Sequence, residues 1–122
     1  MAENGRQSRV LVVEDSYLMS DALSELLRDY GMVPVGPAGT LARAMTLAST
    51  ETIDIALIDM VLRRESSVPL CRLLMARRTP FIIVTGSKRD LPADLDTIPV
   101  VMKPYVPAHL IGSLEGLLRT GH

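Results

Sequence analysis

The stretch "RVLVVEDSYLMS", residues 9–20, decides how the rest of the chain is read. Four apolar residues, Val10, Leu11, Val12 and Val13, run straight into two carboxylates, Glu14 and Asp15. A helix-period apolar stripe then begins at Leu18. A short continuous apolar run reads as a strand covered on both faces. Two adjacent negative charges at the end of such a strand read either as a solvated helix start, with Asp15 or Ser16 capping, or as part of a site that uses them.

The same grammar recurs along the chain. Further apolar runs are "VPVG" (33–36), "IALI" (55–58), "FIIV" (81–84) and "VVM" (100–102). Helical patterns separate them. Leu18, Met19, Ala22, Leu23, Leu26, Leu27 and Tyr30 form one stripe, stopped by Gly31. Thr40 is placed to cap a second helix through Leu41, Ala44, Met45 and Ala48. Ser67, with Pro69 in the first turn, starts a third. Pro107 starts the last, through Leu118. Between the fourth and fifth runs "SKRDLPADLD" (87–96) is interrupted by Pro92, which predicts a short or irregular helix. Strand and helix alternating five times predict an α/β fold: a flavodoxin-like (βα)5 domain whose five parallel strands lie in the order 2-1-3-4-5, with helices on both faces. The reading places one domain at 9–119, a mobile N-terminal tail at 1–8 and a C-terminal tail at 120–122.

Composition narrows the function. The chain has 122 residues, 48% hydrophobic and 22% charged, which suits one globular domain with a real core. A net charge of −1 gives no general attraction to nucleic acid or a membrane surface. There is no apolar run of membrane-spanning length and no hydrophobic signal region at the start, so a cytoplasmic protein is expected. The single cysteine, Cys71, cannot form an internal disulfide and reads as a small core residue. With 3% aromatic residues and no Trp, base stacking is not expected.

Chemistry gathers at the strand ends, where open α/β sheets place their working residues. The first run ends in Glu14 and Asp15, the third in Asp59, the fourth in Thr85 and Gly86, and the fifth in Lys103 and Pro104. The second ends in Gly36 and Pro37, which bring no chemistry, and in the order 2-1-3-4-5 that strand is an edge. The four armed ends then become neighbours. Three carboxylates that close require protonation or a cation. A hard cation that prefers oxygen ligands and keeps its waters, Mg²⁺ or Mn²⁺, suits them together with a phosphate. Lys103 adds a fixed positive charge, Thr85 a hydroxyl, and Gly86 open backbone. Such a set takes up a phosphoryl group.

With these residues in order, the chain resembles the receiver domain of two-component response regulators over roughly residues 9–119. The motifs that carry the likeness are "VVEDS", "LIDM", "VTG" and "MKPY". The resemblance implies a phosphorylation switch in which Asp59 receives the phosphoryl group from a sensor histidine kinase or a histidine phosphotransfer protein. It implies Asp15 as a direct Mg²⁺ ligand, Glu14 as an acidic partner acting through water, and the backbone carbonyl of Val61 as a further ligand. Thr85 and Lys103 are expected to contact the phosphoryl oxygens, and the Lys103–Pro104 peptide is expected to be cis. Val61 and Ser87, each two positions past a site residue, are expected to tune hydrolysis.

Some positions depart from the family pattern. Val100 stands where receivers often carry an aromatic residue that swings inward, and Tyr105 follows Lys-Pro where Phe is common. The loop "MVLRRESS" after Asp59 lacks the usual Pro and Gly. The run "PFIIVTG" (80–86) resembles a single-domain receiver subclass named for its Phe-Ala-Thr-Gly run. The expectation is therefore a stand-alone receiver that switches a protein-binding surface or relays its phosphate. It is expected to be a monomer or a weak phosphorylation-dependent dimer, with no nucleic acid or membrane partner and an unknown protein target. One rival is a phosphate-independent interaction module on the same fold. The other is a small-molecule phosphohydrolase, disfavoured because Met60 and Val61, not an acid, follow Asp59.

Overall fold

The computed structural model describes residues 7–89 and 91–120. The outer parts of both expected tails, residues 1–6 and 121–122, lie outside the described residues. Gln7 and Ser8 are described: Ser8 is buried and its carbonyl accepts the Val33 N–H at 2.8 Å.

Among the described residues, seven strands and four helices follow in the order β1 (Arg9–Val13), α1 (Tyr17–Asp29), β2 (Val33–Ala38), α2 (Leu41–Thr50), β3 (Ile55–Asp59), β4 (Val61–Leu62), β5 (Glu65–Ser66), α3 (Val68–Ala76), β6 (Phe81–Thr85), β7 (Val100–Met102) and α4 (Pro107–Thr120). The main sheet is parallel in the order β2-β1-β3-β6-β7, which is the expected 2-1-3-4-5 arrangement of the five apolar runs. Alternate residues of the central strands feed two apolar layers. Val10, Val12, Ile55, Leu57, Ile82 and Val84 pack with Leu23 and Leu27 of α1 and Leu110, Ile111 and Leu114 of α4. Leu11, Val13, Ala56, Ile58 and Ile83 pack with α2 and α3 on the other face. Burying β3 and β6 completely explains why their sequences do not alternate with polar residues.

Local signals act as read at Thr40 and Gly31, and Ser16 adds a cap of its own. The Ser16 hydroxyl accepts the Met19 N–H to cap α1, and the Thr40 hydroxyl accepts the Arg43 N–H to cap α2. Gly31 ends α1 with a φ of +78°, a conformation glycine adopts at little cost.

Two features differ from the sequence reading, and a third is as read. The second strand does not stop at Gly36–Pro37. It bends through them to Ala38 with a shift in register against β1. The Gly36–Pro37 bond is cis, and a Cβ at Gly36 would sit 2.8 Å from the Ala38 nitrogen. The stretch 87–96 holds, among its described residues, the expected short irregular helix: a three-residue 3-10 turn, Ala93–Leu95, started at Pro92 and closed by the Asp96 N–H on the Ala93 carbonyl. Finally, the loop after Asp59 is an antiparallel hairpin, with Val61 opposite Ser66 and Leu62 opposite Glu65. Its central residues, Arg63 and Arg64, have φ of +46° and +73°, the pattern of a type I′ turn, which normally draws Asn and Gly.

Candidate functional site

The register of the sheet brings the armed ends together. Val13 pairs with Ile58, so Glu14 and Asp59 leave their strands side by side. Asp59 pairs with Val84, and Thr85 with Met102, so Thr85 and Lys103 complete the row. The Lys103 N–H donates to the Thr85 carbonyl at 2.8 Å, which locks the last two ends in line. The Lys103–Pro104 bond is cis.

Glu14, Asp15 and Asp59 each offer a carboxylate oxygen within 4.8 Å of the other two. Glu14 and Asp59 are buried, and Asp15 is half-buried. The Lys103 Nζ lies 2.8 Å from Asp59 Oδ2 and 3.7 Å from Glu14 Oε2. One ammonium thus faces two buried carboxylates, which leaves the cluster short of positive charge. Burial pushes the Glu14 carboxyl above its ordinary value, the backbone N–H of Ser16 opposes this, and the neighbouring Asp59 charge adds to the rise. For Lys103, burial pulls the ammonium down, but the hydrogen bond and charge of Asp59, with Glu14 behind it, outweigh that and raise it. Such a donor set, all carboxylate oxygen and net negative, fits a hard divalent cation.

Each acid is held by backbone. The Ser16 N–H donates to Glu14 Oε1 at 3.0 Å. The Arg63 N–H, at the hairpin tip, donates to Asp15 Oδ2 at 2.7 Å. The Val61 N–H reaches Asp59 Oδ1 at 3.4 Å, a long contact. The Val61 side chain is exposed at the rim of the cluster.

On the other side, the Thr85 hydroxyl is turned onto its own loop. It donates to the Ser87 carbonyl at 3.1 Å and accepts the Ser87 N–H at 3.3 Å. A Cβ at Gly86 would meet nothing within 4 Å, so the protein itself does not require glycine there. Val100 is half-buried in the α2/α3 layer, whereas Tyr105 packs in the α1/α4 layer. The two positions lie on opposite faces of the sheet, so Tyr105 does not stand in for the aromatic that Val100 lacks. Burial and then the Glu14 charge raise the Tyr105 phenol.

Sequence reasoning missed two contributors. Ser67 marks the start of α3, as read, but its hydroxyl does not cap the helix. Fully buried, it donates instead to the Asp59 carbonyl at 2.6 Å. The Arg63 backbone was equally silent, because no side-chain pattern announces a main-chain donor.

Comparison with known proteins agrees with this geometry. The family model described as the response regulator receiver domain matches residues 10–114. The transcriptional regulatory protein PdtaR of Mycobacterium tuberculosis is 30% identical over 112 residues, covering 88% of this chain and 55% of that protein. The sensory transduction protein RegX3 of the same organism is 33% identical over 121 residues, covering 92% and 51%. The chain therefore spans about half the length of the curated relatives it matches. Among solved structures, SdrG from Sphingomonas melonis Fr1 is 32% identical with a TM-score of 0.80, over 92% of this chain and 97% of that one. The receiver domain of PhyR from Erythrobacter litoralis shares the fold, with a TM-score of 0.84 at 23% identity over 95% and 93%. Motif order, strand-end geometry and these likenesses converge: the chain belongs to the response regulator receiver domain family of two-component systems.

Proposed function

We propose that Asp59 accepts a phosphoryl group from a phosphohistidine, carried by a sensor histidine kinase or a histidine phosphotransfer protein, and that the product switches a protein-binding surface or passes the phosphate onward. The observation that carries this reading is the meeting of Glu14, Asp15 and Asp59 within 4.8 Å beside the Lys103 ammonium. A carboxylate oxygen of Asp59 attacks phosphorus, the P–N bond breaks, and its electron pair returns to the imidazole nitrogen. The product is an acyl phosphate, which water cleaves at phosphorus to restore the carboxylate.

Glu14 and Asp15, with Asp59 and the Val61 carbonyl, are the residues that would hold Mg²⁺ or Mn²⁺. When bound, the cation neutralises charge on the phosphoryl oxygens. Lys103 is already aimed at the acceptor oxygen, so it moves little to pair with the new phosphoryl group. Thr85 must first release Ser87 before its hydroxyl can reach that group. A hydrogen bond to a charged group contributes roughly 1.5–3 kcal/mol. Two such contacts total roughly 3–6 kcal/mol before the bonds given up are subtracted, so the net shift falls short of the roughly 5.5 kcal/mol that a near-complete two-state flip needs and leaves both states populated.

The part expected to respond is residues 86–99, where regular structure among the described residues is reduced to one 3-10 turn. The single-domain reading is supported by the likeness to SdrG across 97% of that chain. A cytoplasmic location fits too, since no described helix is long and apolar enough to cross a membrane. A phosphate-independent module is favoured only by Val100, an aliphatic residue at the position where receivers often carry the aromatic that swings inward.

Incubation with a small phosphodonor, with and without Mg²⁺, tests the proposal. Intact mass spectrometry should show gain of one phosphoryl group that depends on the cation and disappears in Asp59→Asn. A folded wild-type protein with no gain would favour the interaction module.

A further inference from the structure

The hairpin β4–β5 touches the acidic cluster at both of its ends. At its base, the buried Ser67 hydroxyl donates to the Asp59 carbonyl at 2.6 Å, and the Ser67 N–H closes the loop on the Met60 carbonyl at 2.9 Å. At its tip, the Arg63 N–H donates to Asp15 Oδ2 at 2.7 Å. These anchors tie one hairpin to two strand ends: Asp59 at the end of β3, eight positions from Ser67, and Asp15 just past β1, 48 positions from Arg63.

The tip is held in a backbone conformation that its residues do not favour. Arg63 and Arg64 both have positive φ and both are exposed. Neither guanidinium has a hydrogen-bond or ion-pair partner among the described residues. The two arginine side chains therefore do not hold the turn. Besides the pairing of β4 with β5, the bonds made by the Asp15 carboxylate at the tip and the Ser67 hydroxyl at the base hold the hairpin.

We propose that the hairpin is a strap that fixes the distance between the acceptor Asp59 and the cation-holding Asp15, with Ser67 as its positioning residue. This rests on the cation and acceptor roles proposed above. Ser67 touches neither cation nor phosphate. It acts by holding the backbone from which the Asp59 carboxylate projects, while the Arg63 N–H holds Asp15. The strap preorganises the carboxylates, so that their mutual repulsion does not spread them apart before a cation arrives.

Mn²⁺ binding to the full chain, followed by the electron paramagnetic resonance signal of the free ion, tests this without any turnover. Ser67→Ala deletes the base anchor. Arg63→Pro deletes the tip N–H at an exposed site and cannot adopt positive φ. Arg64→Gly relieves the turn but keeps the Arg63 N–H. The strap predicts that Ser67→Ala and Arg63→Pro each weaken Mn²⁺ binding about fivefold or more, whereas Arg64→Gly leaves it unchanged. Phosphoryl uptake from a small phosphodonor should slow in the same two variants.

A purely structural role for Ser67 would lower the melting temperature and leave the affinity of the folded protein unchanged, which would overturn the proposal. If Ser67→Ala does not fold, Arg63→Pro alone decides. Tighter Mn²⁺ binding in Arg63→Pro would mean that the N–H competes with the cation, unchanged binding that the tip anchor does not matter to it, and either would overturn the proposal as well. A wild type that binds no Mn²⁺ overturns the cation reading together with the strap. A wild type that binds it, with variants that bind equally, overturns the strap alone.

Discussion

The two halves of the site are built differently. On the acidic half, every carboxylate accepts a backbone N–H: Glu14 from Ser16, Asp15 from Arg63 and, at longer range, Asp59 from Val61. On the half that faces β6 and β7, the Thr85 hydroxyl is bonded only within its own loop, to Ser87. Fourteen residues beyond it in the chain, from Gly86 to Pro99, contain one three-residue turn as their regular structure among those described. The contrast has a physical reason. Like charges held close repel, so a half proposed to bind a cation has to be fixed before an ion arrives. A half proposed to report phosphorylation has instead to move for little free energy, or new contacts could not shift it.

Lys103 joins the halves, and removing it should break the comparison most severely. Lys103→Met leaves Glu14 and Asp59 buried with no counter-charge. Breaking a buried pair typically costs about 3–5 kcal/mol, and the solvent exposure of Lys103, 33%, reduces this to about 1–2 kcal/mol. Denaturant unfolding should show that loss in metal-free buffer, with much of it recovered in Mg²⁺. Asp59→Asn, which leaves Lys103 beside Glu14, should cost far less. Equal destabilisation by the two substitutions would mean that charge balance does not organise the site.

Thr85→Ala sharpens the division between chemistry and response. Phosphoryl uptake should persist within about threefold, because Thr85 does not contact Asp59. The shift of residues 86–99 should weaken by about tenfold or more in population, as expected for one charged hydrogen bond. Hydrogen exchange of amides 86–99, compared with and without phosphodonor, reads both states. A full response in Thr85→Ala would remove the hydroxyl from the switch.

A smaller effect is expected at the rim. Val61 is exposed beside Asp59 and cannot position water by hydrogen bonding. Val61→Asn supplies that capacity, so the acyl phosphate should decay several-fold faster, on the order expected for one added polar contact in hydrolysis. A longer-lived phosphoryl group in the variant would refute this role.

The smallest expected effect is none at all, and it checks the rigidity of the acidic half. Cys71 lies in α3, one turn from Ser67, and burial pushes its thiol up to about 12. At neutral pH it should resist a disulfide reagent in both free and phosphorylated protein and react only on unfolding. Faster labelling after phosphorylation would show that α3 opens and that movement is not confined to the other half.

Legibility in the sequence follows the same division. The five apolar runs announce their strands because burial on both faces removes alternation, and the residues after them announce the site because parallel order brings their ends together. Glu14, Asp59, Thr85 and Lys103 could therefore be placed in one row before any coordinates. The strap could not. Its strands are two residues long, too short for a period, and its turn carries Arg63 and Arg64 where Asn and Gly would have signalled a hairpin. Ser67 carried an ambiguous signal, since the same hydroxyl can cap a helix or reach back to a carbonyl. Its burial under the loop, which depends on tertiary packing, selects the second. The bend at Gly36–Pro37 was likewise hidden, because the apolar run ends there while the strand pairing continues to Ala38.

The central claim is that Asp59 is the covalent acceptor at the shared acidic end of β1 and β3. Borohydride reduction after treatment with phosphodonor and Mg²⁺ converts an acyl phosphate on aspartate to homoserine, and peptide mass spectrometry then locates it. Homoserine is expected at position 59 alone, and absent when the cation is chelated. Homoserine at position 15 or 54, or unmodified residue 59 in a protein that has gained phosphate, would contradict it.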